Sequence, residues 1–292
     1  MRQEHVRTRE IGPLVSMLTE NRTITHLDIS GAIVSKMNMG LLWLALHKNI
    51  SISELNYSRI NFFALLEIKA IDAELDLNNM IQNEIKPVFE KNQFKTQARK
   101  ELSLNGFHVE RENAPAILKY IKMQTQMTSL DLSGTGLSHA DMNQFIIEIV
   151  KREINLTKLN LGSNDSVCDE VIEDLCQLFS QHSTMQQLML DNTKITTKGL
   201  AMLLESMTHS LKVRTISVRN CRMQLSFIRG KPIIASLQKN ISLTNLDFTD
   251  NTFDMPFKLA VDKELDLNQQ IVNKILPQLI SQEVNARGEK RR

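Results

Sequence analysis

The chain has 292 residues, 42% hydrophobic and 23% charged, with a formal net charge of +2. That balance suits a folded protein of one or two domains and lacks the strong basic excess of an obligate nucleic-acid binder. No apolar run approaches the roughly eighteen residues of a membrane span, and the opening MRQEHVRTRE has no signal-peptide character. The three cysteines, Cys168, Cys176 and Cys221, are an odd number in a long chain, which points to free thiols in a reducing compartment.

Taken in chain order, one short pattern recurs. An apolar residue, two variable residues, a leucine, one variable residue and a second apolar residue can be anchored on the middle leucine. The anchors are Leu27, Leu55, Leu102 (an imperfect copy), Leu130, Leu159, Leu188, Ile216 and Leu246. The steps between them are 28, 47, 28, 29, 29, 28 and 30 residues, a period that marks a repeat protein. In MTSLDLSG, Leu130 and Leu132 alternate with Ser129, Asp131 and Ser133, so a strand with one apolar face is predicted. About a dozen residues on, Phe145, Ile146, Ile149 and Val150 follow helical spacing. Neither face can be buried alone, so successive coils must stack their strands into a parallel sheet backed by helices.

Two columns of polar residues accompany the repeat. Five residues after each leucine stand Thr135, Asn164, Thr193, Cys221 and Asn251, placed to satisfy buried backbone groups of the turn. Six residues before the leucine, Asn21, Asn49 and Asn240 fall where a helix ends, a position that favours the left-handed conformation asparagine tolerates.

The segments ITHLDISGA, ISELNYSRI, MTSLDLSGTGL, LTKLNLGSND, MQQLMLDNTKI, VRTISVRNCRM and LTNLDFTDNTF together resemble the leucine-rich repeat family, in its long ribonuclease-inhibitor-like subclass. The resemblance implies an α/β solenoid, a horseshoe with parallel strands on its concave face and helices on its convex face. The Ile/Asn/Lys bias and swollen repeats are also similar in style to leucine-rich repeat effectors that intracellular bacterial pathogens deliver into host cells. That similarity implies engagement of a host protein in the host cytosol; the expected location is cytoplasmic, or secreted into the host cytosol without a cleaved N-terminal signal peptide.

The 47-residue step departs from the pattern. Its excess contains AIDAELDLNNMIQNEIKP, residues 70–87, and AVDKELDLNQQIVNKILP at 260–277 is identical at 11 of 18 positions. Asp72 and Asp262 occupy the leading apolar position of a would-be strand, whereas Leu267, Ile271, Ile275 and Leu279 keep a four-residue ladder. Helix is therefore predicted for both, as a terminating element used twice. This divides the chain into an N-terminal block, 1–98, a C-terminal block with helical cap, 99–282, and a basic tail, 283–292, expected to be disordered; a continuous solenoid with one swollen coil is the alternative.

No phosphate-cradling glycine loop, zinc-binding His pair or Cys-x-x-Cys occurs. Cys168, Cys176 and His182 have gaps that match no usual ligand spacing, so no metal, cofactor or catalytic residue is assigned. What remains is surface. The candidate partner-binding residues are Asp131, Asn160, Met189, Asp191, Arg214, Ser217, Arg219 and Asp247, with the arginines as the most distinctive anchors for an acidic partner. A non-enzymatic protein-binding module, monomeric and without nucleic-acid or membrane contacts, is expected. A resident bacterial scaffold and a cysteine-dependent hydrolase or transferase are the alternatives.

Overall fold

The computed structural model describes residues 11–30, 36–57, 65–88, 100–124, 126–151, 156–180, 184–208, 210, 212–275 and 277–278. The tail 283–292 and His182 lie outside the described residues. The chain forms two compact units, Met1–Phe94 with Glu110–Thr125, and Lys95–Val109 with Gln126–Arg292.

In the first unit, α1 (Ile11–Glu20), β1 (His26–Asp28), α2 (Lys36–His47), β2 (Glu54–Asn56) and α3 (Leu65–Met80) follow one another. Helix α3 runs into a π turn, Ile81–Ile85, and α4 (Ala114–Lys122) packs against both. Leu27 lies opposite Leu55 in the parallel pair β1–β2. Leu18, Ile29, Leu42, Leu46, Ile52 and Ile71 are the centre of the core, none more than 1% exposed.

The second unit holds β3 (Glu101–Ser103), β4 (Ser129–Asp131), α5 (His139–Lys151), β5 (Lys158–Asn160), α6 (Asp169–Ser180), β6 (Gln187–Met189) and α7 (Thr197–Ser206). It continues with β7 (Thr215–Ser217), β8 (Gln224–Leu225), α8 (Lys231–Lys239), β9 (Asn245–Asp247), β10 (Thr252–Phe253) and α9 (Met255–Gln270), which ends in a second π turn, Ile271–Ile275. Strands β3, β4, β5, β6, β7 and β9 form one parallel sheet in sequence order. The predicted anchors face one another across it: Leu102, Leu130, Leu159, Leu188, Ile216 and Leu246 are consecutive register partners. These six and the apolar residues two places on, from Leu104 to Phe248, are at most 6% exposed. Burying one such side chain contributes about 1.5–3 kcal/mol, and the periodic pattern repeats that gain in every coil. Helices of successive coils pack side by side, α5 through α9.

Turn chemistry locks the coils together. Four residues after each anchor the backbone is left-handed, at Gly106, Gly134, Ser163, Asn192, Asn220 and Asp250, with φ between 49° and 70°. Glycine adopts this freely, and asparagine and aspartate tolerate it. One residue later, the buried Asn164 amide donates to the Leu132, Leu161 and Gly162 carbonyls. Its oxygen accepts from the Thr135 and Gly136 backbone N–H groups of the preceding coil. Asn251 repeats the arrangement, accepting from the Cys221 and Met223 N–H groups. The Cys221 thiol reaches the Leu190 carbonyl at 3.2 Å. The column that ends the helices works differently from the expectation. Asn240 is extended, at φ −87° and ψ 131°, and neither Asn21 nor Asn49 has a positive φ. The side chain is what counts: Asn49 Oδ1 accepts from Ser51 and Ile52 N–H, and Asn240 Oδ1 from Ser242 and Leu243 N–H. Their amides donate back to Leu18 and Met207 carbonyls of the previous coil.

Both duplicated segments are helical and end in π turns. Asn78 donates to the Ile52 carbonyl at 2.7 Å, and its counterpart Asn268 donates to the Leu243 carbonyl at 2.9 Å. Asp72 accepts from the Tyr57 hydroxyl, which pushes the phenol pKa up to about 12; Asp262 instead pairs with Lys258.

A buried ion pair ties the first unit together. Lys119 Nζ lies 2.6 Å from Glu74 Oε2 and 3.0 Å from the Leu46 carbonyl, and His47 Nδ1 lies 2.8 Å from Glu74 Oε1. Burial pushes the Glu74 carboxyl up, but hydrogen bonds from Lys119 and His47 outweigh it and hold the pKa below the usual carboxylate value. Burial pulls Lys119 down. Removing one partner strands a buried charge, so Lys119→Met is expected to cost about 3–5 kcal/mol in denaturant unfolding at neutral pH. The double variant with Glu74→Gln should recover most of that. Because the folded-state pKa of Glu74 is lowered, its contribution is present above the unfolded value of 4.5 and fades as pH falls through the lower folded value. A single variant as stable as the wild type would contradict this account.

Candidate functional site

The face of the six-stranded sheet opposite the leucines carries the side chains that flank each anchor. The residues immediately after the anchors form a row across the sheet. Asp131, Asn160, Met189, Ser217 and Asp247 are successive register partners. At about 4.8 Å per strand this row spans about 19 Å. Five of the eight nominated residues therefore stand in one line.

Several of them also have structural duties. Asp131 Oδ1 accepts from the Ser133 N–H, Asn160 Oδ1 from the Gly162 N–H, and Asp247 Oδ1 from the Thr249 N–H. Each closes the turn that leaves its own strand, which is why short acceptors recur there. In β7 Ser217 occupies the row, and the acceptor comes from the neighbouring coil. Asp191 Oδ1 takes the Arg219 N–H at 2.8 Å and the Ser217 hydroxyl at 2.5 Å. Met189 makes no such bond and presents a half-exposed apolar side chain.

The two arginines do not form a joint patch. In the observed register the residues flanking Ile216 are Thr215 and Ser217, so Thr215 holds the outward position that the sequence reading gave to Arg214. Arg214 precedes β7, and its Nη1 donates to the Ser242 carbonyl at 2.9 Å. Arg219 lies beyond the other end of β7, with Nη2 3.0 Å from Asp250 Oδ2 and Nε 3.9 Å from Asp247 Oδ2. The hydrogen bond from Arg219 to Asp250 is the main cause of an upward shift in the guanidinium pKa. Asp191, Asn192, Arg219, Asn220 and Asp250 line a shallow cleft of about 450 Å³. Along the face, Glu101, Asp131, Asp191, Asp247 and Asp250 give five carboxylates against two cations, Lys158 and Arg219. The surface is thus net acidic, and Arg219 is already matched from within. Asp250 was missed in the sequence; its one signal is that aspartate tolerates the left-handed turn position.

Among the described residues, one trio could hold a cation: His139, Cys168 and Glu170, whose ligand atoms lie within 4.8 Å of one another. Sequence spacing hid it, because His139 belongs to the preceding coil. Usual bond lengths would need the donors about 3.3–3.6 Å apart. The thiol is engaged with Glu170, and burial followed by that contact raises its pKa. Burial likewise raises the Cys176 thiol, and Cys221 is buried in its turn.

No family model matches the chain, and no curated protein matches it. Among solved structures it is similar to actin-binding site 2 of leiomodin-1, with a TM-score of 0.52 and 17% identity over 60% of this chain and 99% of that one. The C-terminal domain of tropomodulin from Caenorhabditis elegans gives a TM-score of 0.49 at 16% identity, over 57% of this chain and 98% of that one. A Bacteroides fragilis protein gives 0.35 at 17%, over 88% and 76%. At such identity the first likeness concerns the fold alone, and it agrees with the repeat itself: helices alternate with parallel strands in a fold of the leucine-rich-repeat type.

The division of labour among the acids is testable. Asp191 holds two groups of the next coil, and a hydrogen bond to a charged group is worth about 1.5–3 kcal/mol. Asp191→Ala should therefore destabilise the protein by about that amount. Asp250→Asn keeps a residue that tolerates the left-handed turn and removes only an exposed ion pair, so it should cost far less. Equal losses in thermal or denaturant unfolding would contradict the assignment.

Proposed function

We propose that the protein is a non-enzymatic binding module whose outward sheet face recognises another protein. The observation that carries this reading is the row from Asp131 to Asp247, held at fixed spacing by five strands in register. A rigid row of small polar groups around one half-exposed methionine offers a preorganised surface with little side-chain entropy to lose on binding. With five carboxylates against two cations on the face, a complementary partner presents lysines or arginines there. This revises the expectation of an acidic partner read from the arginines.

The 28- to 30-residue coils support the long, ribonuclease-inhibitor-like subclass as the finer description. The leiomodin domain, named for an actin-binding site, is a case of this type of fold serving protein recognition. We extend that parallel to a protein ligand and not to actin. A pathogen effector acting on a host protein is the finer functional reading, supported by sequence style; a resident bacterial scaffold is the alternative. A cysteine enzyme requires a thiol of lowered pKa beside a base, and the raised pKa of Cys168 and Cys176 favours the non-enzymatic reading.

The test uses face residues whose side chains have no hydrogen bond or ion pair among the described residues. Glu101 is exposed and Met189 half-exposed, so Glu101→Lys with Met189→Lys, which sets the face against a basic partner, should leave melting unchanged. Capture of a partner from eukaryotic lysate should fall at least about tenfold, equivalent to about 1.4 kcal/mol. Lys263→Glu, on α9, should have no effect. Capture from bacterial lysate instead would favour the scaffold, and capture unaffected by the face variant would exclude this face.

A further inference from the structure

The duplicated segment is used twice, but its exposed surface differs. In the first copy α4 covers α3 and its π turn, and Ile81 and Ile85 are 0% exposed. Their counterparts at an offset of 190 are Ile271, half-buried, and Ile275, 48% exposed. Leu77, half-buried, corresponds to Leu267, 44% exposed. The framework beneath is the same. Asn78 and Asn268 each hold the carbonyl three residues before a strand anchor, and Ile71 and Val261 are both 0% exposed.

The polar part of the first interface is also reproduced. Glu74 Oε1 is held by His47 at the end of α2, which leaves Oε2 for Lys119 of α4. Glu264 Oε1 is held by Gln238, near the end of α8, at 3.4 Å. Among the described residues no hydrogen bond or ion pair engages Glu264 Oε2, the oxygen that in the first copy receives the lysine. Charge complementarity and the worked example inside the same chain therefore specify one occupant.

We propose that the surface formed by Glu264, Leu267, Ile271 and Ile275 docks a partner protein's amphipathic helix of the α4 kind. Such a helix brings a lysine equivalent to Lys119 and, three residues before and four after it on the same side, small or apolar residues equivalent to Ala116 and Met123. Those side chains cover the π turn, and the ammonium completes Glu264. This site is separate from the sheet face and does not depend on the function proposed for it.

The probe is a synthetic peptide of residues 112–124, ENAPAILKYIKMQ, titrated into the full chain and followed by calorimetry. One-to-one binding is expected. Leu267→Asp with Ile275→Asp should weaken it at least tenfold; both positions are already exposed, so melting should be retained. A peptide carrying Lys119→Glu should bind poorly to the wild type and regain binding to Glu264→Lys. That charge swap separates the proposed seat from displacement of the chain's own α4. No binding, or binding indifferent to all these variants, overturns the proposal. Self-association that is abolished by Ile275→Asp would assign the surface to a second copy and overturn it as well.

Discussion

A parallel strand of three residues cannot hold itself in place, and every strand of the large sheet is that short. What fixes the coils is a column of corner side chains, of which Asn164, Cys221 and Asn251 bond to the backbone of the neighbouring coil. Asn164 alone makes three amide donations and serves two N–H groups of the preceding coil. An unmade bond at such a buried group costs about 1–3 kcal/mol, comparable with burying a leucine. Corner chemistry and hydrophobic stacking are therefore of similar weight, and the corners add the directionality that stacking lacks. They hold the row of outward side chains at the sheet spacing.

The same economy explains why the outward face is hard to read as a binding site. Its aspartates and asparagines are selected first as turn acceptors, so their recurrence signals architecture before recognition. Met189 stands in the same row without that duty, and the departure from the local rule is what singles it out. Arg219 looks like an anchor in the sequence and is matched in the fold by Asp247 and Asp250. A charge run along a chain says little until the register brings its opposites beside it.

Much of the architecture was legible because it is periodic. The anchors from Leu102 to Leu246 became register partners, even at the imperfect copy, and the duplicated segments are helices because Asp72 and Asp262 could not be buried as strand residues. The roles of Asn49 and Asn240 were misread in mechanism, since the side chain bonds where a backbone conformation had been expected. The pair Glu74–Lys119 was not legible: the residues are 45 apart in the chain, and only α4 packing on α3 joins them. His139 and Cys168 stand 29 residues apart, one full period, so ligand spacings read along the chain hid a contact that the stacking of coils makes, and Asp250 lies one position out of step with Arg219. Sequence pattern reveals what repeats, and the chemistry particular to this chain lies where it does not.

Native-state hydrogen exchange tests the corner ladder directly. The Thr135 and Gly136 amides, bonded to Asn164 Oδ1, and the Cys221 and Met223 amides, bonded to Asn251 Oδ1, should be protected as strongly as the strand amides. In Asn164→Ala the first two should exchange far faster, while Cys221 and Met223 keep their protection. Rapid exchange at all four in the wild type, or protection at Thr135 and Gly136 that survives the loss of Asn164, would contradict the claim that these side chains fix the coils.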